Sequence, residues 1–307
     1  MKKVKVYAPG SIGNVGCGFD VFGLAIDAVG DFLEVEENNT GQLRIIDIAG
    51  DPTIPLDPEK NIVTVGASNL LLEFGSTQGF DFKLTKGVVA GSGLGSSASS
   101  ATAGVFAVNE LIGRPYTKQE LIKYAAVGEQ IASHQVHYDN IAPAMLGGFT
   151  VVRSSNPLEI LEVEVPENLY LAMVRPSVVI KTEEAKKILG DSISIDSAVT
   201  QFGNIAGIII GLQNKDIALI GRSLEDELAT PARSRLIPKF DEARMAALEA
   251  GAAGFNISGS GPAMFAICES KNTAENVVNR FRKVYRDDHH ANFYLTQADT
   301  LGTRQID

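Results

Sequence analysis

Residues 91 to 104 read GSGLGSSASSATAG, a run with almost no side chain larger than a hydroxymethyl group. Just before it, Phe80-Asp81-Phe82-Lys83-Leu84-Thr85 alternates as a strand, and from Ser96 to Ile112 the pattern is helical until Gly113-Arg114-Pro115 stops it. Gly and Ser runs often serve as flexible linkers. A linker is not followed at once by a long helix-compatible segment, so this run reads as a loop and the first turns of a helix. Its glycines allow positive φ, and the lack of side chains lets N–H groups face a ligand. At a helix N-terminus those groups and the helix dipole favour an anion, phosphate being the natural one. The Walker A pattern is excluded, because the run holds no lysine. Gly93-x-Gly95-x-x-Ala98 matches a dinucleotide fingerprint, yet a second helix follows where a Rossmann unit needs a strand ending in an acidic residue. A G-x-S-x-G nucleophile elbow is absent from the chain. What remains is a lysine-free Gly/Ser anion loop with hydroxyls at Ser96 and Ser97.

The chain around this loop has 307 residues, 45% hydrophobic and 21% charged, a globular balance long enough for two cores. Its formal net charge is -10 and Lys and Arg do not cluster, so the broad basic surface of a nucleic-acid binder is missing and any anion must be held locally. Met1-Lys2-Lys3 has the charge of a signal-peptide start, but Val4 to Ala8 is too short for its apolar region. The apolar stretch Ile205 to Leu212 is far below a membrane span. Cys17 and Cys268 offer neither a disulfide framework nor metal-ligand spacing. A soluble, cytoplasmic protein with no nucleic-acid or membrane partner is the expectation.

Strands are expected at Lys3 to Ala8, Gly23 to Asp27, Phe32 to Glu37 and Leu43 to Ala49, with a helix at Ile62 to Glu73 before the loop. After it come a helix at Thr117 to Ser133 and strands at Gly148 to Arg153, Leu158 to Val165 and Leu169 to Val174. Pro166-Glu167-Asn168 breaks the strand run and marks a domain boundary. Beyond it, helices are expected at Glu183 to Leu189, Ala198 to Leu212, Asp216 to Glu227 and Phe240 to Ala250, then strand, turn and strand over Gly254 to Cys268, a helix, and a last strand at Asn292 to Thr296.

The loop GSGLGSSAS resembles the nucleotide loop of the GHMP kinases. APGSIGNVGCGFDVFGLAID at residues 8 to 27 and GFNISGSGPAMFAI at residues 254 to 267 agree in order and spacing, so the resemblance covers essentially the whole chain. Gly16-Cys17-Gly18-Phe19-Asp20 stands where galactokinase-like and mevalonate-kinase-like members carry a Gly-Glu-His block. With His137-Tyr138-Asp139-Asn140-Ile141-Ala142-Pro143-Ala144 and Pro231-Ala232-Arg233, the chain is similar to the homoserine kinase branch. The resemblance implies an α+β, two-domain GHMP kinase fold. It places a β-rich nucleotide-binding domain at residues 1–166 and a C-terminal α/β-sandwich, ferredoxin-like domain at residues 167–307, with the active site in the cleft between them. It implies phosphoryl transfer from ATP, with Mg²⁺, to the side-chain hydroxyl of L-homoserine, a step of threonine biosynthesis, by a homodimer.

The same resemblance implies the site. ATP lies on Val89, Ala90, Gly91, Ser92, Gly93, Leu94, Gly95, Ser96, Ser97, Ala98 and Ser99, and Mg²⁺ on Ser97 and Glu129. Homoserine meets Asn14, Asp20, His137, Lys186, Arg233, Gly259 and Gly261. Asn140 neighbours the γ-phosphate, and Asp139 and Asp20 are the acids beside it. Read without the family, Glu129 projects from the apolar face made by Ile122, Ala125 and Ala126, and a carboxylate there needs a partner, which a salt bridge to a nearby Lys or Arg would supply as well as the metal the resemblance implies. Asn14 and Asp20 suit ordinary turn chemistry, and Gly259-Ser260-Gly261 suits a hairpin turn. Asp139, next to Asn140 in the implied site, is the obvious candidate for a base, with Asp20 the alternative, but a loose phosphoryl-transfer transition state depends mainly on positioning and charge, so neither is expected to be indispensable.

Two positions depart from the family pattern: Val89 stands in place of a usual Pro, and Lys186 in place of a usual Arg. Lys supplies charge without the bidentate fork. The rival readings are a GHMP kinase for another alcohol such as mevalonate, the related decarboxylase, and a noncatalytic nucleotide-binding regulator. The missing Gly-Glu-His block and the Arg233 segment count against the first two, and the pairing of Ser97 with Glu129 counts against the third.

Overall fold

The computed structural model describes residues 1–133 and 135–307. The first part of the chain supplies β1 (Lys3–Gly13), β2 (Phe22–Asn38), β3 (Leu43–Ala49), α1 (Ile62–Phe74), β4 (Gly79–Thr85), α2 (Ser96–Leu111), α3 (Lys118–Ser133), α4 (Tyr138–Leu146), β5 (Phe149–Ser155) and β6 (Leu158–Val163). Alternation drives β1: Val4, Val6 and Ala8 are buried while Lys3, Lys5 and Tyr7 face outward. The two strands expected across residues 23–37 are one strand, β2. Pro9 pairs with Gly30 and Gly10 with Ile26, so a bulge absorbs residues 27–29 without ending the ladder. α1 starts where the Asn61 side chain accepts from the Val63 N–H at 2.9 Å and ends at Gly75 with φ 74°. The four helices cover one face of the sheet, where Val6, Leu33, Val35, Phe80 and Phe82 meet Leu70, Ala101, Val105, Leu121 and Ile141.

The second part supplies β7 (Tyr170–Arg175), α5 (Thr182–Lys187), α6 (Ile195–Asn214), α7 (Ile217–Arg222), α8 (Thr230–Arg233), α9 (Phe240–Glu249), β8 (Gly254–Ile257), β9 (Met264–Cys268), α10 (Lys271–Val284) and β10 (Asn292–Thr296). The four strands form an antiparallel sheet in the order β10-β7-β9-β8, the ferredoxin-like order expected. Both faces of this sheet are covered, so β8 and β9 are buried along their whole length and β7 along its middle, while the edge strand β10 is partly exposed. Leu171, Met173, Phe265 and Ile267 join a core with Ile12, Phe22, Leu24 and Phe149 of the first sheet, while Ala172, Val174, Met264 and Ala266 face Phe240, Phe255 and Phe281 on the other side. The shared core seats the two sheets against each other.

Three features differ from the sequence reading. The helix expected over Asp216 to Glu227 ends at Arg222, because the Asp226 carboxylate collects the N–H groups of Leu228, Ala229 and Thr230 and the Thr230 hydroxyl, shaping a loop instead. The chain end does not stay with residues 167–297: β11 (Arg304–Ile306) pairs with β1 of the first sheet. On the way, the Thr303 N–H donates to the Ala144 carbonyl at 2.8 Å, and its hydroxyl does the same, satisfying the end of α4. Finally, α6 is longer than the stretch weighed from sequence. By length and composition it is apolar enough to cross a membrane, and only 22% of its apolar window is buried. Its inner side packs on α7.

Candidate functional site

A cavity of about 560 Å³ opens where the Gly/Ser loop, the β1–β2 loop, the start of α4 and the α8 segment converge. The loop takes its shape from glycines at positive φ: Gly91 at 66°, Gly93 at 79° and Gly95 at 68°. At Gly95 a Cβ would also come within 2.1 Å of the Ser11 hydroxyl oxygen. The carbonyls of the loop turn back into the scaffold. Ser92 O accepts from Ala263 N–H, Gly93 O from the Ser258 hydroxyl and Leu94 O from Ser11 N–H, at 3.1, 2.6 and 3.0 Å. With the carbonyls tied behind and no side chain capping α2, the N–H groups at the helix start are left for a ligand. Ala90, Gly91, Ser92, Gly93, Gly95, Ser96 and Ser97 line the cavity, whereas Val89, Leu94, Ala98 and Ser99 of the expected nucleotide segment do not. Leu94 and Ala98 are buried in the cores, the Ser99 hydroxyl donates to the Ala8 carbonyl, and Val89 sits at the outer rim.

Ser97 and Glu129 meet directly, the hydroxyl donating to Glu129 Oε1 at 2.9 Å. Glu129 is 1% exposed. Its other oxygen accepts from the His137 backbone N–H at 3.2 Å, and the His137 ring nitrogen Nδ1 lies 3.4 Å from Oε1. That hydrogen bond raises the His137 pKa. A buried carboxylate and a hydroxyl are hard oxygen donors suited to Mg²⁺. Among the described residues no group of three or more His, Cys, Asp or Glu could hold a metal. A pair of protein ligands, with the remainder from phosphate and water, therefore fits Mg²⁺ better than a self-sufficient metal site.

The first turn of α4 brings Asp139 and Asn140 under the loop. The Ser11 hydroxyl donates to Asn140 Oδ1 at 2.9 Å, which leaves the amide NH₂ for a ligand. Asp139 is 2% exposed, and its Oδ2 accepts from Asn14 N–H at 3.2 Å while Oδ1 has no partner among the described residues. Burial first, and the nearby Asp20 charge second, push its pKa up to about 7. The approach is close: a Cβ on Gly23 would sit 1.9 Å from the Asp139 carbonyl oxygen. Asn14 is at φ 67°, accepts from Asp20 N–H at 3.0 Å and donates to Gly259 O at 3.2 Å. Both ends of that side chain are engaged in shaping the wall, and Asp20, exposed at φ 55°, offers its carboxylate to the cavity.

Arg233 lies across the cavity, 5% exposed. Its guanidinium donates to Ala185 O at 3.2 Å and Gly259 O at 3.0 Å and sits 5.3 Å over the Phe19 ring. No carboxylate among the described residues forms an ion pair with it. Burial lowers its pKa, opposed by Asp20 and then Asp226. Lys186 stands at the mouth with its ammonium donating to Gln135 Oε1 at 2.6 Å, while its neighbour Lys187 pairs outside with Glu183 at 2.7 Å. Gly259 lines the cavity, but Gly261 does not: it packs behind the loop against Ile237.

Sequence reasoning missed Asp31 and Lys86. The Lys86 ammonium is buried against the Asp31 carboxylate and also donates to Ser96 O at 3.0 Å and the Ser100 hydroxyl at 2.8 Å. Asp31 further accepts from Ser100 Oγ and from the N–H groups of Gly87 and Val88. The anion loop, lysine-free in sequence, is thus braced from behind by a lysine five residues upstream of it, whose partner lies 55 residues away. The cavity also continues past Lys86 to Ile54, Pro55, Asn61 and Ile62, a wall that no motif announced.

The family model described as GHMP kinases N terminal domain matches residues 61–148, and the one described as GHMP kinases C terminal matches residues 208–287. A homoserine kinase of Chloroherpeton thalassium is 42% identical over 297 residues, 93% of each chain, and one of Pyrococcus abyssi is 40% identical over 88% of this chain and 89% of the other. The crystal structure of homoserine kinase from Cytophaga hutchinsonii superimposes with a TM-score of 0.97 at 40% identity, covering 100% of this chain and 98% of that one. The structure of L. major mevalonate kinase shares the fold at a TM-score of 0.72 and 17% identity, over 97% of this chain and 96% of its own.

Proposed function

The chain belongs to the GHMP kinases and, within them, to the homoserine kinases; from that membership we propose that it phosphorylates the side-chain hydroxyl of L-homoserine with ATP in threonine biosynthesis. One observation carries the reading. A single cavity holds an uncapped helix N-terminus with Ser97 and Glu129 on one side and, on the other, Arg233, a buried cation that no carboxylate among the described residues pairs with. A zwitterionic amino acid with a terminal hydroxyl fits between them, its carboxylate on Arg233 and Lys186 and its ammonium on Asp20. Phe19 supports the guanidinium from beneath, and Asn14 fixes the backbone that carries Asp20.

The phosphates of ATP rest on the backbone N–H groups around Gly93 to Ser97, and the Asn140 amide donates to the γ-phosphate. Ser97 and Glu129 would hold Mg²⁺, which would supply positive charge beside the phosphates during transfer. The homoserine oxygen forms its bond to the γ-phosphorus as the bond to the bridging oxygen breaks, giving O-phospho-L-homoserine, ADP and a proton. Positioning and charge supply most of the rate, and Asp139 is not an indispensable base. A cytoplasmic homodimer is part of this proposal. ADP release with L-homoserine, mevalonate, galactose and L-serine tests it: activity confined to homoserine is the expected result, and preference for mevalonate or galactose overturns it.

A further inference from the structure

The Asp226 carboxylate, half-buried between α7 and α8, is ringed by donors. Its Oδ1 accepts from the Leu228 N–H at 3.0 Å and from Gln201 Nε2 at 2.9 Å. Its Oδ2 accepts from the N–H groups of Ala229 and Thr230 at 3.0 and 2.6 Å and from the Thr230 hydroxyl at 2.9 Å. One turn on, the Arg233 N–H donates to the Ala229 carbonyl at 2.9 Å. The residue that Asp226 grips is therefore the one from which the turn to Arg233 is built. We infer that Asp226 is a positioning residue for the substrate carboxylate: it fixes where α8 presents Arg233, and Gln201 ties the same bracket to the β1–β2 loop that carries Phe19 and Asp20. This rests on the kinase reading, in which Arg233 receives the carboxylate of homoserine.

The position calls for a carboxylate. Every group around the two oxygens is a donor, so an amide fits in neither orientation: its NH₂ would face Leu228 N–H and Gln201 in one, Ala229 and Thr230 N–H in the other. The same donors keep Asp226 away from Arg233. A carboxylate free to reach a guanidinium forms the bidentate pair that would compete with substrate, but here Asp226 is occupied, and the guanidinium donates instead to Ala185 O and Gly259 O. The charge is still felt: burial lowers the Arg233 pKa, and Asp226, after Asp20, opposes this. The bracket also spans both ends of the substrate. Gln201 Nε2 donates to Cys17 O at 2.5 Å as well, and its Oε1 accepts from Glu227 N–H at 2.9 Å. Three residues beyond Cys17 stands Asp20, and between them Phe19, whose ring lies 5.3 Å from the Arg233 guanidinium. Contact between the two segments is tight: a Cβ on Gly16 would come within 2.5 Å of the Leu224 carbonyl oxygen, itself held by the Asn256 amide at 2.6 Å. The Thr230 hydroxyl, 2.7 Å from Asn256 Oδ1, adds β8 to the frame.

Steady-state kinetics of Asp226→Asn test this. KM for homoserine is expected to rise about tenfold, with kcat changed by less than about threefold and KM for ATP by less than about twofold. A loss of folded protein alone would instead lower kcat and leave both KM values where they were. The double-mutant cycle with Arg233→Met decides how Asp226 acts: with the guanidinium gone, Asp226→Asn is expected to add less than about twofold to the homoserine KM. Should Asp226→Asn fail to fold, Thr230→Val runs the same cycle, since it keeps the carboxylate and removes one donor, with an expected rise of about threefold. An unchanged homoserine KM, an equal rise in KM for ATP, or an effect on the Arg233→Met background as large as on the wild type overturns the inference. An Arg233→Met protein that keeps the wild-type homoserine KM is a separate failure: it takes the carboxylate away from Arg233, and that part of the kinase reading falls together with the inference.

Discussion

Asp139→Asn is expected to stabilise the protein, increasingly so as pH rises. In the folded chain Asp139 is buried, one of its oxygens has no partner among the described residues, and its pKa stands at about 7 against 3.8 for the free group. An acid whose folded pKa is raised keeps a proton that the unfolded chain has already released, so stability falls as pH climbs from about 4 to about 7 and then levels off. The whole span is worth about 4 kcal/mol at about 1.4 kcal/mol per tenfold change in proton affinity, of which roughly 2–3 kcal/mol falls between pH 5 and pH 8. Asn has no charge to desolvate, so that pH-dependent part disappears. Any cost of its buried NH₂ is the same at every pH and drops out of the comparison. Urea unfolding of both proteins at pH 5, 6, 7 and 8, without nucleotide, is expected to show a stability difference that grows by roughly 2–3 kcal/mol in favour of Asn over that range. A difference constant to within about 0.5 kcal/mol refutes the reasoning, because it means Asp139 does not change protonation on folding. Asp20→Asn, which removes the second cause of the shift, is expected to reduce the growth. Turnover of Asp139→Asn is expected to fall by less than about 10²-fold, and a loss of about 10³-fold identifies a general base after all.

Glu129→Gln keeps the acceptor for Ser97 but removes the charge, and is expected to abolish most turnover while the fold persists; near-wild-type ADP release at ordinary Mg²⁺ concentrations sinks the metal assignment. Arg233→Met is expected to raise KM for homoserine about thirtyfold with little change for ATP, since it removes a desolvated cation from a carboxylate. Lys186→Met, at the wetter mouth, is expected to raise KM only several-fold, and exposed Lys187→Met and Arg235→Met are expected to change nothing; equal kinetics for the 186 and 187 variants return the carboxylate to Arg233 alone. Lys86→Met leaves the Asp31 charge buried without its partner, which costs about 3–5 kcal/mol. Thermal unfolding is expected to drop accordingly and KM for ATP to rise, and an unchanged melting temperature shows that the pair does not brace the loop.

How much of this was legible in the sequence depends on how local each signal is. The Gly/Ser run announces itself, because positive φ and bare N–H groups are properties of consecutive residues. So do the strand alternation of β1 and the ferredoxin-like tail, whose strands lie close together along the chain. Glu129 on an alanine-lined helix face is readable as a carboxylate in need of a partner, but its particular partners, Ser97 and the His137 backbone, are not. Asp31 and Lys86 carry no local mark at all: one is an ordinary charged residue inside β2 and the other follows the end of β4, until the fold brings them together behind the loop. The same holds for Asn14, which turn chemistry explains as well as ligand binding does, and whose engaged side chain becomes evident only when Asp20 N–H and Gly259 O are seen at its two ends. β11 is missed because three residues are too few to show a pattern, and its place is set by Thr303 reaching the end of α4 rather than by its own composition. Residues that form elements are therefore legible from spacing, while residues that brace the site are legible only from contacts across tens of positions. The Gly/Ser loop that lines the cavity is readable at sight, whereas the buried charges that hold it in place require the structure.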